Sequence, residues 1–208
     1  MFFRQVLNDG GSCASYVLGC KTNRQLAVIE PHAELLDEYL ALAAAQDAPI
    51  VAVLETHLQA DHPSGMAELA ARTGATAYLP PGTGAELEHR ELADGEVLRL
   101  GNTEIRAMAT PGHALAHHAY LVSDLTRDPE PWLVLSGDAL LFPSHYSGSL
   151  CGRGLSANPI STIGFERRHN RALQFDCEEE FAQALLRDMP PTPERHEAIL
   201  AANRGGRG

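Results

Sequence analysis

The run Pro49-Ile50-Val51-Ala52-Val53-Leu54-Glu55 constrains the fold of this chain more than any other feature. It is compact, apolar and rich in β-branched residues, which fits a strand buried on both faces. It stops abruptly in Thr56-His57-Leu58-Gln59-Ala60-Asp61-His62. Three side chains able to ligate a metal, His57, Asp61 and His62, therefore fall within six positions at the end of a buried strand. A strand end aims side chains at one point, and the loop that follows can bend them around an ion. Histidine supplies neutral imidazole and aspartate a hard oxygen. The alternative is a polar loop that caps the following helix through Asp61 or Ser64.

The pattern recurs. Residues 102–109 read as a strand ending in Thr110-Pro111-Gly112-His113, where the Pro-Gly pair makes a sharp turn that presents His113. Trp132-Leu133-Val134-Leu135 reads as a strand ending in Ser136-Gly137-Asp138-Ala139. A carboxylate directly after a buried strand is costly unless it is paired or bound to a cation. Pro143-Ser144-His145 follows soon after. His57, His113, Asp138 and His145 thus read as one site assembled from several loops. The chain has ten histidines against sixteen Lys and Arg, and this pattern divides them. One of His117 and His118 is placed to point inward. His32, His89, His169 and His196 lie away from the strand ends and read as surface residues.

The remaining elements alternate. Strands are expected at 15–19 and 25–30, around a turn at 20–23, and a helix at 34–46 where apolar residues recur at helical spacing. A helix at 66–73 is ended by Gly74, and a strand follows at 76–79. Strands at 96–100 and 102–109 join tightly around Gly101, and a strand at 119–122 precedes the one at 132–135. Helices at 178–187 and 193–202 close the chain. The expectation is an α/β sandwich of two mixed sheets flanked by helices, forming one domain over 1–203 with a flexible tail at 204–208. No glycine-rich phosphate loop is present, since Gly82-Thr83-Gly84 lacks the third glycine and the strand–helix setting.

Composition narrows the partners. The 208 residues are 44% hydrophobic, enough for a real core, and carry a formal net charge of −11. That charge argues against nucleic acid or an anionic membrane as partner. No apolar run of eighteen residues occurs, and the N-terminus lacks the charged-then-apolar layout of a signal peptide. Cys13, Cys20, Cys151 and Cys177 show no CxxC spacing, so reduced thiols in a cytoplasm are expected.

The order Thr-His-x-x-x-Asp-His, Thr-Pro-Gly-His, Ser-Gly-Asp-Ala resembles the metallo-β-lactamase superfamily. Within it the chain is most similar to persulfide dioxygenases, relatives of glyoxalase II, and especially to the catalytic domains of bacterial persulfide dioxygenases fused to rhodanese modules. The likeness starts at Phe3-Arg4-Gln5 and residues 12–19. It continues through 56–65, 94–96, 110–113, 137–141, 143–145, 148–152 and 161–168, and ends in Ala201-Ala202-Asn203-Arg204-Gly205. The resemblance implies an αββα sandwich with a metal at one edge. By the same resemblance, one iron(II) per chain is held by His57, His113 and Asp138, a facial triad that leaves positions open for oxygen and substrate.

Two departures stand out. The superfamily usually writes His-x-His-x-Asp-His, and here Gln59 replaces the middle histidine. Glutamine is a poor zinc ligand, so the change weakens a zinc pair and spares a single iron. The stretch that normally separates Gly-Asp-Ala from Pro-x-His, with an arginine that helps hold glutathione, is missing here. Gln59, Asp61, His62 and His145 are candidates for a second metal or for groups orienting the first. Asp61 and His62 are the candidate catalytic pair. Tyr146, Cys151 and Arg153 are candidate substrate contacts, with Arg167 and Arg168 as further anion contacts.

The implied activity is oxidation of a low-molecular-weight or protein persulfide by O2 to sulfite and a thiol. The partners expected with it are a sulfurtransferase (rhodanese) and a second copy of the chain in a homodimer. The alternatives are a zinc hydrolase of a thioester, lactone or other ester, and a non-catalytic relative with a trimmed pocket.

Overall fold

In the computed structural model, residues 1–8, 13–138 and 195–205, with the single positions 177, 179, 180 and 183, are described. Ten strands form two sheets among these residues. Sheet I has the order β1-β2-β3-β4-β5-β6, from β1 Phe2–Asn8, β2 Cys13–Cys20, β3 Gln25–Ile29, β4 Ile50–Leu54, β5 Thr76–Leu79 and β6 Arg90–Glu91. Sheet II has the order β10-β9-β8-β7, from β7 Val97–Leu100, β8 Thr103–Ala109, β9 His118–Asp124 and β10 Asp128–Leu135. Sheet I is mixed, with β1, β2 and β3 antiparallel and β3 to β6 parallel. The described strands of sheet II pair antiparallel throughout.

The sheets face each other across one apolar layer. Tyr16, Leu18, Ile29 and Leu54 of sheet I meet Ile105, Tyr120, Val122 and Leu135 of sheet II. The opposite face of sheet I presents Val17, Val28 and Val53 to Leu36, Tyr39, Met66 and Leu69. Those last four lie on helices α1 Leu36–Ala45 and α2 Met66–Thr73. Both faces of β2 are therefore covered, and all eight of its residues are buried. This is why its sequence carries no charged residue and no clean alternation. A short 3-10 turn, Ala33–Leu35, leads into α1. Gly74, at φ +72°, closes α2 in the left-handed conformation that its missing Cβ permits. Helix α3, His196–Asn203, closes the described chain. No helix of the described residues is long and apolar enough to cross a membrane.

The strands Phe2–Asn8 and Arg90–Glu91 lie outside the sequence expectation. Phe2–Asn8 has only two buried residues, and both residues of Arg90–Glu91 are exposed, so neither carries a strong apolar signal. β10 begins at Asp128, earlier than expected, because its pairing with β9 shifts register between Asp128 and Leu133. The helix expected at 178–187 lies almost wholly outside the described residues.

Because β8 and β10 are both antiparallel to β9, their C-terminal ends share one edge of sheet II. The end of β4 joins that edge. His118 N donates to Thr56 O at 2.7 Å, and Tyr120 Oη donates to Glu55 O at 2.7 Å. The loops after β4, β8 and β10 are thereby brought together.

Candidate metal centre

Three side chains from those loops converge. Ligand atoms of His57, His113 and Asp138 all lie within 4.8 Å of one another. His113 Nε2 is 3.0 Å and His57 Nε2 4.0 Å from Asp138 Oδ2. Two donors bound at about 2.0–2.2 Å to one ion lie roughly 3–4 Å apart, so this triangle fits a divalent metal with small adjustment. The His57 and Asp138 side chains are almost fully buried, while that of His113 is 38% exposed, which leaves one side of the triangle approachable.

The environment orients these groups. Thr56 Oγ1 lies 3.0 Å from His57 Nδ1, so Nε2 is the nitrogen turned to the site. Gly137, at φ +55°, is hemmed in: a Cβ there would lie 2.3 Å from Thr56 Oγ1 and 2.7 Å from His117 Nε2. The His117 ring sits 5.2 Å from the ring of His57. Its Nδ1 is 2.8 Å from Thr110 Oγ1, and its buried Nε2 has no hydrogen-bond partner. Burial, opposed by the charge of Asp138, lowers the His117 pKa. Of the adjacent pair, His117 is therefore the one that faces the site. His118 lies within β9, paired with Ala109.

Gln59 is held by Glu30. Its side chain is buried, and Nε2 donates to Glu30 Oε2 at 2.5 Å. Glu30 also accepts from Thr56 N at 2.5 Å. It occupies φ +58°, a left-handed conformation that costs a non-glycine residue on the order of 1–2 kcal/mol. Burial raises the Glu30 pKa, the Thr56 N–H opposes this, and the charge of Asp138 adds to it. Glu55, also buried, is pushed well up by burial and by the charge of Glu30, while a hydrogen bond from Ser64 Oγ at 2.5 Å works against the rise.

Asp61 and His62 engage each other, with Oδ1 3.0 Å from Nδ1. Burial disfavours protonation of His62, but hydrogen bonds and charge from Asp61 and Cys13 outweigh it and push its pKa up to about 10. Neither residue belongs to the His57–His113–Asp138 ligand group. His32 is not a surface residue: it is 5% exposed, and its ring stacks on His62 at 5.1 Å with 8° between planes. Stacking on a neighbour from another loop leaves no mark in the local sequence. His145, Tyr146, Cys151 and Arg153, with Arg167 and Arg168, lie outside the described residues.

Sequence reasoning passed over two residues. Glu30 follows an apolar strand just as Asp138 does, so the same pattern could have found it. Asn203 contacts the loop through an amide on a distant helix, and nothing in its neighbourhood signals this.

A two-sheet sandwich with imidazole and carboxylate donors at its strand ends defines a class of metal-binding α/β proteins. The profile of the metallo-beta-lactamase superfamily matches residues 8–171, and the chain belongs to that superfamily. Its members are metal-dependent enzymes. The chain is 34% identical over 192 residues to a hydroxyacylglutathione hydrolase of Rhodospirillum rubrum, covering 89% of this chain and 69% of that protein. It is 23% identical over 233 residues to the mitochondrial persulfide dioxygenase ETHE1 of Homo sapiens, covering 98% of this chain and 87% of that one. The crystal structure of ETHE1 from Myxococcus xanthus superposes with a TM-score of 0.78 at 27% identity, covering 98% of both chains.

Proposed function

We propose that this chain is a mononuclear, iron(II)-dependent persulfide dioxygenase. The observation that carries the reading is the convergence of His57, His113 and Asp138, with the Gln59 amide nitrogen bonded to Glu30 Oε2. These are two histidines and one carboxylate, the donor set of single-iron oxygenases. The family-level likeness to ETHE1 supports the same reading.

The reaction is R–S–SH + O2 + H2O → R–SH + SO3²⁻ + 2 H⁺. The S–S bond breaks, the terminal sulfur is oxidised and O2 is reduced. Iron(II), when bound, supplies the redox chemistry that lets O2 react with a sulfur anion. The protein supplies position. His57, His113 and Asp138 hold the ion, with Thr56 fixing the His57 ring through Nδ1. The exposed flank of His113 leaves the approach for a persulfide. His62, paired with Asp61, lies on the same loop after β4 that carries His57. The proposal takes in a low-molecular-weight or protein persulfide as substrate, a rhodanese-type sulfurtransferase as its supplier, a homodimer, and action in the cytoplasm.

A second reading is a zinc hydrolase of a thioester or related ester. It is favoured by the higher identity, 34%, to a hydroxyacylglutathione hydrolase. Metal analysis after anaerobic purification, with oxygen uptake on adding glutathione persulfide, separates the two. About one iron per chain and persulfide-dependent uptake are expected. Two zincs with thioester hydrolysis and no oxygen uptake would refute the dioxygenase. A protein that retains no metal, and is unchanged by His57→Ala, would refute both.

A further inference from the structure

The loop from Glu55 to Gly65 has no regular helix or strand structure, yet most of it is buried. Backbone groups in such a segment need partners from elsewhere. Several come from nearby: Glu30 takes Thr56 N, Pro31 O takes Gly65 N, and Thr56 O takes His118 N. Three more bonds come from one side chain at the far end of the chain. Asn203 Nδ2 donates to Gln59 O at 2.8 Å and to His62 O at 3.2 Å, while Ser64 N donates to Asn203 Oδ1 at 3.2 Å.

We infer that Asn203 is a positioning residue of the metal centre, clamping the loop that carries His57, Asp61 and His62 to helix α3. Only a side chain with two amide donors and an acceptor at its tip can make all three bonds. Aspartate would set a carboxylate against two carbonyl oxygens, and alanine would leave the three backbone groups without it. The clamp completes a grip on Gln59, whose side chain is held by Glu30 and whose carbonyl is held by Asn203. Helix α3 is itself anchored just beyond Asn203, where Glu86 N donates to Arg204 O. Metal affinity and the docking of α3 are therefore coupled, and the coupling is reciprocal: what tightens the loop tightens the helix.

The inference rests on metal binding at His57, His113 and Asp138, and not on which reaction the metal serves. Its test is anaerobic titration of the whole chain with Co(II), followed by the visible spectrum of the bound ion. Asn203→Ala is expected to weaken Co(II) binding by about tenfold or more, the range for groups that orient metal ligands. Asn203→Asp should weaken it at least as much. Leu26→Ala, which empties a buried position paired with Ile50 at the end of β4 away from this loop, should lower the thermal midpoint without moving the affinity. In the unaltered protein, Co(II) should slow amide hydrogen exchange across residues 196–203, a readout that does not depend on any variant folding. Co(II) affinity of Asn203→Ala within twofold of the unaltered protein overturns the inference. So does an equal loss in Leu26→Ala, or exchange in α3 that ignores the metal. Failure of the metal assignment itself looks different, because His57→Ala would then bind Co(II) as well as the unaltered chain.

Discussion

Replacing Gly137 by alanine tests whether the metal centre depends on how closely the β4 and β10 loops approach. The added Cβ would sit 2.3 Å from Thr56 Oγ1, 2.8 Å from Thr56 Cβ and 2.7 Å from His117 Nε2, all closer than real carbon contacts allow. The left-handed backbone at φ +55° costs an L-residue roughly 1–2 kcal/mol. Overpacking a tight site adds about 1–3 kcal/mol. Together they predict a loss of about 2–5 kcal/mol in urea unfolding. Gly74→Ala is the control: its φ is +72°, but a Cβ there meets nothing within 4 Å, so it should lose only the backbone part, about 1–2 kcal/mol. Thr56 orients His57, and Asp138 follows Gly137 directly, so Gly137→Ala should also weaken Co(II) binding while Gly74→Ala leaves it intact. If the two variants lose the same stability and both bind Co(II) normally, the close approach at Gly137 has no role in holding the site.

Two further outcomes follow from the charges and the ligands. The folded state holds the His62 proton up to about pH 10 against an ordinary value of 6.5, so this contribution is complete below about 6.5 and disappears as pH rises through 10. Asp61→Asn should therefore be less stable than the unaltered protein at pH 7, with a gap that narrows towards pH 10.5; urea melts showing a constant gap would contradict the assignment. A bound ion at a hundredfold its Kd should stabilise the chain by about 2.7 kcal/mol. His57→Ala should abolish that gain in thermal shift, and a full shift in the variant would remove His57 from the ligand set.

The fold was legible where elements bury a periodic face. Helix α2 and strand β5 lie at 66–73 and 76–79, as their patterns and Gly74 imply. Strand β6 was not legible, because two exposed residues joined to β5 by backbone pairing carry no apolar signature. At the site, His57, His113 and Asp138 were legible because each follows the end of a strand, and their convergence needs only that those strands end on the same edge. The depth of His32 and the reach of Asn203 were not. Both depend on contacts between segments far apart in sequence, one a ring stacked on a ring and the other an amide read by backbone groups.

The bond between Gln59 and Glu30 also bears on how such a site can change over generations. Placing histidine at position 59 would strip a buried, left-handed glutamate of its amide donor, while altering Glu30 first would strand the amide of Gln59 and the N–H of Thr56. Neither step is neutral by itself, so the two positions must move together. A substitution at either position is therefore expected to be tolerated best when the other side chain changes to keep the buried carboxylate partnered.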